Sequence, residues 1–196
     1  MRKMFIYPKI YKKLKRGPQV ILPKDIGIII SYTGVNKDSV CIDAGTGSGW
    51  LAVSLGLIAK QVYSYDIREE FSKIAEKNVS LLNLKNVSLK IGDITKGIVE
   101  KDVDIFTLDL PNSEKALKTV KKALKPEGCV VAYIPHAEQV IKYSKKLSSL
   151  GFEEPYVIEC IVRDILVRKE GMRPSTKGIW HTAYLVFSRK PVKKEI

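Results

Sequence analysis

The hydrophobic positions of this chain follow two periods in turn. Short apolar runs without helical spacing recur at "SVCIDAG" (39–45), "QVYSYDI" (61–67), "VSLKIGD" (87–93), "VDIFTLDLP" (103–111) and "GCVVAYIP" (128–135), and each predicts a strand. Between and after them stand stretches with apolar residues every three or four positions: "WLAVSLGLIAK" (50–60), "EEFSKIAEKNVSLLNL" (69–84), "SEKALKTVKKALK" (113–125) and "AEQVIKYSKKLSSLG" (137–151). These predict helices, the third ended by Pro126 and Gly128. A further helical stripe, "KDIGIIISYTGV" (24–35), precedes the first strand. Strand and helix in alternation imply a doubly wound, mostly parallel α/β sheet. Two strand-like runs close the chain, "PYVIECIVRDILVR" (155–168) and "HTAYLVFSRK" (181–190), with only the loop "KEGMRPSTKGIW" (169–180) between them. They predict a C-terminal antiparallel hairpin and bring the sheet to seven strands. Residues 1–23 mix basic and aromatic side chains and read as an extended basic arm ahead of a single domain, residues 24–196.

The first strand runs into "DAGTGSGW", which places Gly45, Gly47 and Gly49 within five positions of a strand–turn–helix. Such a turn lets a nucleotide-like cofactor approach the backbone. A dinucleotide turn needs G-x-G-x-x-G, its third glycine allowing close helix–strand packing. Counted from Gly45 that position is Trp50, the bulkiest residue available, so a dinucleotide is disfavoured. The spacing G-x-G-x-G with Asp43 just before it resembles motif I of S-adenosylmethionine (SAM)-dependent methyltransferases. Backbone amides at a helix start can meet the cofactor's carboxylate.

Carboxylates follow at the ends of the next strands. Asp66 can accept from both hydroxyls of a ribose, or cap the helix after it. Asp93, after Gly92, is a turn residue or, as is common in methyltransferases, a partner of the adenine amino group. Asp109 ends the fourth strand and is followed by Leu110 and Pro111. It stands at the carboxyl edge, where ligands of open α/β sheets lie. A carboxylate in such an apolar run needs partners or a role; the alternative is a cap for the helix near Ser113. Taken in order, the glycine turn, Asp66 and Asp93 at the ends of the first three strands favour SAM.

Composition changes the picture in one respect. The chain has 196 residues, 45% hydrophobic, enough for one core, but its 34 Lys and Arg outnumber 21 acids for a net charge of +13. Such an excess points to a polyanionic partner, RNA or DNA before a membrane surface. Tyr7, Tyr11, Lys12, Lys13, Lys15 and Arg16 interleave aromatic and cationic groups in a way that suits RNA. Arg163, Arg168, Lys169, Arg173 and Lys177 crowd the loop at the end of the sheet where substrate would enter. The chain has no apolar run of transmembrane length and no signal-like start, so a soluble cytoplasmic protein with no membrane partner is expected. Cys41, Cys129 and Cys160 stand singly in apolar stretches without metal-ligand spacing, which predicts core thiols and no metal. His136 and His181 read as structural, the first at a helix start and the second beside Trp180.

With these residues assembled, the chain resembles the tRNA (adenine-N1) methyltransferases that modify the T-loop, a class I SAM-dependent family whose sheet ends in an antiparallel strand. "RGPQVILPKD" (16–25) resembles the family segment ahead of motif I, and "DAGTGSG" matches motif I nearly letter for letter. "SYDIREEF" resembles its second-strand segment, "LDLP" its catalytic segment, and "RPSTKGIWHTAYLVFSRK" its closing loop and strand. The resemblance implies a SAM site formed by Gln19, Ile21, Gly45, Gly47, Ser48, Gly49, Asp66 and Asp93, with Asp109 as the catalytic aspartate and Arg68 near the cofactor. It implies a tRNA substrate, held by the basic residues named above, and a homotetramer. Enzymes that methylate the exocyclic amine usually carry Asn/Asp-Pro-Pro-Tyr/Phe; here Asp109-Leu110-Pro111-Asn112 offers no aromatic for stacking. Family members usually carry a small β-rich domain ahead of "RGPQVI", and this chain begins only a few residues before it, so no such domain is expected. Two other readings stay open: a short methyltransferase acting on a corrin-type small molecule, and a non-catalytic tRNA-binding subunit.

Overall fold

A computed structural model of the chain describes residues 8–17 and 19–192. In chain order its elements are α1 (Lys9–Lys13), α2 (Pro23–Thr33), β1 (Val40–Ala44), α3 (Trp50–Gly56), β2 (Gln61–Asp66), α4 (Glu69–Leu81), β3 (Val87–Ile91), β4 (Val103–Leu108), α5 (Leu117–Ala123), β5 (Leu124–Ile134), α6 (Ala137–Ser149), β6 (Tyr156–Glu159), β7 (Ile165–Arg168), β8 (Gly171–Pro174) and β9 (Tyr184–Arg189). Seven strands form one sheet in the order β3-β2-β1-β4-β5-β9-β6. β1 to β5 are parallel. β9 runs antiparallel to both β5 and β6. The expected doubly wound sheet is therefore present, with its antiparallel strand between two others.

Side chains of β1 alternate between two buried layers, as the pleat requires. Cys41 joins one with Ile26, Ile29, Leu51 and Leu55 from α2 and α3. Ile42 and Ala44 join the other with Leu117, Val120, Tyr143 and Leu147 from α5 and α6. Helices thus cover both faces, and the direction of winding reverses between β1 and β4, where an open α/β sheet leaves a crevice at its carboxyl edge.

Three local departures have identifiable causes. The run 155–168, expected as one strand, is two: β6 stops at Glu159, and β7 pairs with β8 in a separate antiparallel hairpin. The carbonyl of Cys160 leaves the ladder to accept from Lys24 Nζ at 2.6 Å. The helix expected over 113–125 is a 3-10 turn, Ser113–Ala116, followed by the short α5, because the chain turns extended at Leu124, ahead of Pro126. In the basic segment expected to be extended, Lys9–Lys13 form α1, held on α3 by a 2.8 Å hydrogen bond between the Tyr11 and Ser54 hydroxyls and by Tyr11 packing on Trp50. Tyr7 and Pro18 lie outside the described residues. Among the described residues no helix is long and apolar enough to cross a membrane. Cys41 and Cys129 are buried free thiols, as expected, and Cys160 is half-buried.

Candidate active site

Why three glycines crowd one turn is answered by what stands beside each. Gly45 has φ +96°, and a Cβ there would meet the Asp109 backbone, 3.0 Å from the carbonyl carbon and closer still to its oxygen. The turn after β1 and the end of β4 converge at this point: Asp109 N–H donates to the Ala44 carbonyl at 2.8 Å. Gly49 has φ +77° and caps α3, its missing Cβ leaving room for Ala75 of α4. Gly47, by contrast, has open space around it. The open space is a cavity of about 740 Å³ at the carboxyl edge, the size of a small-ligand site.

The carboxylates arrive from successive strands. Asp66 accepts the Gly47 N–H at 2.9 Å, the Arg68 N–H at 3.0 Å and Arg68 Nε at 3.2 Å. Burial works against its charge, but these donors outweigh it and hold the carboxyl below its ordinary value. Arg68 Nη2 adds a fourth donor at 3.4 Å. A carboxylate has about four acceptor positions, so ribose hydroxyls would take the places of the Arg68 side chain, which is half-exposed and packed on Phe71. Asp93 caps the next turn, accepting from the Thr95 hydroxyl at 2.7 Å and its N–H at 2.9 Å, which lower its pKa. It still faces the cavity, so turn residue and cavity wall are the same side chain. Beneath the glycine turn Asp43 is buried and accepts from Ser64 and Thr107 hydroxyls at 2.7 and 2.8 Å; burial raises it to about 6 despite these donors.

Asp109 differs from all of these. Its carboxylate opens into the cavity and has no hydrogen-bond or ion-pair partner among the described residues. The protein around it pushes its pKa up to about 7, desolvation first and the Asp43 carboxylate second, with Arg68 opposing. It does not cap the helix near Ser113, whose hydroxyl donates instead to Leu110 O.

Of the other expected site residues, Gln19, Gly45, Gly47, Ser48, Asp66 and Asp93 line the cavity with Asp109. Ile21 does not: its side chain is buried in the core with α2 and α3. Gly49 also stands behind the wall, against Ala75. Ser48 Oγ is buried without a hydrogen-bond partner, an orphan that a polar ligand in the turn can satisfy. Lys12, Lys13, Lys15, Arg16, Arg168, Lys169, Arg173 and Lys177 are exposed and outside the cavity, the last four on the β7–β8 hairpin and the loop after it.

The structure adds residues that no motif marked. Tyr133 at the end of β5, Pro135 and Gln139 around the start of α6, and Lys115 line the same cavity. His136, expected as a structural helix-start residue, does stand at the N-cap of α6 but lines the cavity as well. Burial pushes the Tyr133 phenol up to about 12, so it serves as a neutral group and not as a base. His181 is structural, as expected: its ring bridges Glu159 at 2.6 Å and the Pro135 carbonyl at 2.8 Å. Both partners are acceptors, which favours the doubly protonated ring and raises its pKa. The segment before Gln19 is tied down by Asn78 of α4, which accepts Lys15 N–H at 2.7 Å and donates to the carbonyls of Lys15 and Ser48, each at 2.8 Å. Trp50, at the position where a dinucleotide turn would need glycine, donates its indole N–H to Lys15 O at 3.0 Å.

Sheet order, glycine turn and edge carboxylates together define a class I methyltransferase. The chain belongs to the family described as the tRNA methyltransferase complex GCD14 subunit, whose sequence profile matches residues 8–183. It is 38% identical, over 93% of its length and 75% of the relative's, to the tRNA (adenine(57)-N(1)/adenine(58)-N(1))-methyltransferase TrmI of Methanocaldococcus jannaschii. Among solved structures it is similar to the tRNA (m1A58) methyltransferase TrmI of Aquifex aeolicus, with a TM-score of 0.87 and 33% identity over 94% of this chain and 75% of that one. A SAM-dependent O-methyltransferase from Thermotoga maritima superposes with a TM-score of 0.89 at 33% identity, over 96% of this chain and 74% of that one.

Proposed function

We propose that the protein transfers a methyl group from SAM to N1 of an adenine in the T-loop of tRNA. The single observation that carries this reading is the unpartnered Asp109 carboxylate in the cavity wall, next to a glycine turn that fits SAM. The family and its tRNA-methylating relatives support the substrate class. Gly45, Gly47 and the orphan Ser48 hydroxyl hold the methionine end, Asp66 the ribose and Asp93 the adenine, with Gln19 closing the site from the N-terminal segment. Ile21 and Gly49 shape it from behind.

SAM supplies an electrophilic methyl group on a sulfonium. Adenine N1 is neutral and has a free lone pair, so no proton has to leave before attack. The N1–C bond forms as the C–S bond breaks, the bonding pair passes to sulfur, and the purine becomes a cation. Asp109 accepts from the exocyclic amine, orients the ring and faces the charge that develops on it. Its contribution is positioning and preorganised electrostatics. The base must first leave its stack, and Tyr133, Pro135 and His136 form the wall it enters against.

The basic segment before α2 and the β7–β8 hairpin contact RNA in this reading, a tRNA substrate places the enzyme in the cytoplasm, and residues 24–196 act as one catalytic domain. We also infer a homo-oligomer, the tetramer of the family. Exposed Tyr156 and Val157 on β6, the edge strand of the large sheet, support it as an apolar surface at the sheet's end.

Incubation with labelled SAM and unmodified tRNA tests the function. Label is expected in tRNA, with a reverse-transcription stop at one T-loop adenine. Label only in a small molecule, or none at all, would sink the reading. A second expectation concerns the cofactor. Asp66→Ala removes a charged acceptor of ribose hydroxyls, each such bond contributing about 1.5–3 kcal/mol, and SAM affinity by calorimetry falls at least tenfold. Unchanged affinity in a variant that melts normally would remove Asp66 from the cofactor site.

A further inference from the structure

The mouth of the cavity continues into a row of cations that no motif singles out. Residues 113–149 hold eight lysines against three acids. The turn at Ser113 and α5 bury Ala116, Leu117 and Val120 against the sheet. Lys115, Lys118 and Lys122, three and four positions apart, are left exposed along one side. Lys115, in the 3-10 turn, lines the cavity itself, and Lys118 and Lys122, about one turn apart on α5, carry the row away from it. α6 covers the same face of the sheet, its Tyr143 and Leu147 in the same core layer as Leu117 and Val120. Lys121 Nζ donates to the Leu150 carbonyl just past the end of α6, and Lys145 adds a further exposed cation.

Nearby acids do not neutralise the row. Glu114 is taken by Lys142 at 2.6 Å and Asp104 by Lys125 at 2.9 Å. Among the described residues the ammonium groups of Lys115, Lys118, Lys122 and Lys145 have neither an ion pair nor a hydrogen bond. α4, on the opposite face, is unlike this row: it mixes Glu69, Glu70 and Glu76 with Lys73 and Lys77. Like charges three and four residues apart on a helix repel, and a polyanion laid along them removes that repulsion.

Resting on the reading of the substrate as tRNA, we propose that this face of α5 and α6 is a track for the phosphate backbone, which takes the strand flanking the base that enters the cavity. Lysines act here as point charges. They fix register and direction on the RNA and carry no base information.

The test compares two triple variants of the full chain under the labelled-SAM assay. Lys118→Ala/Lys122→Ala/Lys145→Ala removes the track and spares Lys115 in the cavity. Lys37→Ala/Lys60→Ala/Lys85→Ala removes as much charge from exposed positions just ahead of β1, β2 and β3, at the amino edge of the sheet and away from the cavity. Each phosphate contact contributes roughly 0.7–0.9 to the slope of log affinity against log salt, so three contacts amount to roughly 50–150-fold at 0.15 M salt. The track variant is expected to raise the KM for tRNA by about that factor and to lower the salt slope by about 2–3. Its kcat and SAM affinity stay at wild-type values, and the control triple changes little. Wild-type KM and salt slope in the track variant, or an equal loss in the control, overturns the track while leaving tRNA methylation intact. Failure of the wild-type chain to methylate any tRNA overturns the substrate reading, and the track with it.

Discussion

Asp109→Ala is expected to lower turnover on tRNA about 10²–10³-fold, equivalent to roughly 2.7–4 kcal/mol in the barrier, by comparison with deletion of other preorganised contacts. SAM affinity should remain within a few-fold, because nothing ties this carboxylate to the glycine turn except its backbone. The loss should not come from unfolding. Its pKa in the fold is raised to about 7, so the fold disfavours the ionised form, and above pH 7 the charge subtracts from stability instead of adding to it. The variant should therefore melt no lower than the wild type at pH 8. The same shift sets the pH profile. If the carboxylate is the working form, kcat/KM for tRNA rises as pH passes up through about 7 and levels above it. Asp109→Asn should remove that rise along with the rate. A variant that lost SAM binding but recovered full rate at saturating SAM would make Asp109 a cofactor ligand only.

Much of this site was legible because its chemistry lies at strand ends, and strand ends are where the hydrophobic pattern breaks. Gly45, Gly47, Ser48, Asp66, Asp93 and Asp109 each follow a recognisable apolar run, and all line one cavity. What was not legible depends on distant pairing. Asn78 sits among polar residues on an amphipathic helix, and its role emerges only when Lys15, 63 positions earlier, docks against it. Trp50 could be read as a reason against a dinucleotide, but not as the anchor of the segment that carries Gln19. Tyr133, His136 and Gln139 come from the end of one strand and the start of the next helix, with no motif to mark them. The break at Cys160 needed Lys24, whose Nζ also donates to Asp25 and Thr182 at 2.7 Å each. Periodicity sees a continuous apolar run there, whereas the fold sees a buried cation that needs a carbonyl. The lysine row on α5 reads in sequence as the solvated side of a helix, and only the cavity at its end gives it a direction.

Gly45→Ala should be the most damaging of the single glycine substitutions in the turn, and Gly47→Ala the mildest. Gly45 lies at φ +96°, outside the region most side chains enter, and its Cβ would be driven into the Asp109 carbonyl group. Backbone strain of about 1–3 kcal/mol adds to an overpacking cost of similar size. The obstacle is backbone, pinned by the hydrogen bond from Asp109 N–H to Ala44 O, so it cannot swing aside like a flexible side chain. Together these predict a loss of about 3–5 kcal/mol, or a thermal midpoint lower by roughly 6–20 °C for a domain of this size. Relief of the clash must push the end of β4 away from β1, which moves Asp109 itself. Turnover should therefore fall further than SAM affinity in whatever fraction stays folded. Gly49→Ala meets a side-chain methyl, Ala75 Cβ, at 3.0 Å and should cost less. Gly47, at φ +50° with its nearest neighbour at 3.9 Å, faces open cavity. Alanine there should cost about 1–2 kcal/mol in stability and act mainly on ligand affinity. Melting curves of the three variants, with and without SAM, read this order. Equal midpoints for Gly45→Ala and Gly47→Ala would show that the β1–β4 junction is loose, and that the first glycine is not there to let the end of β4 approach.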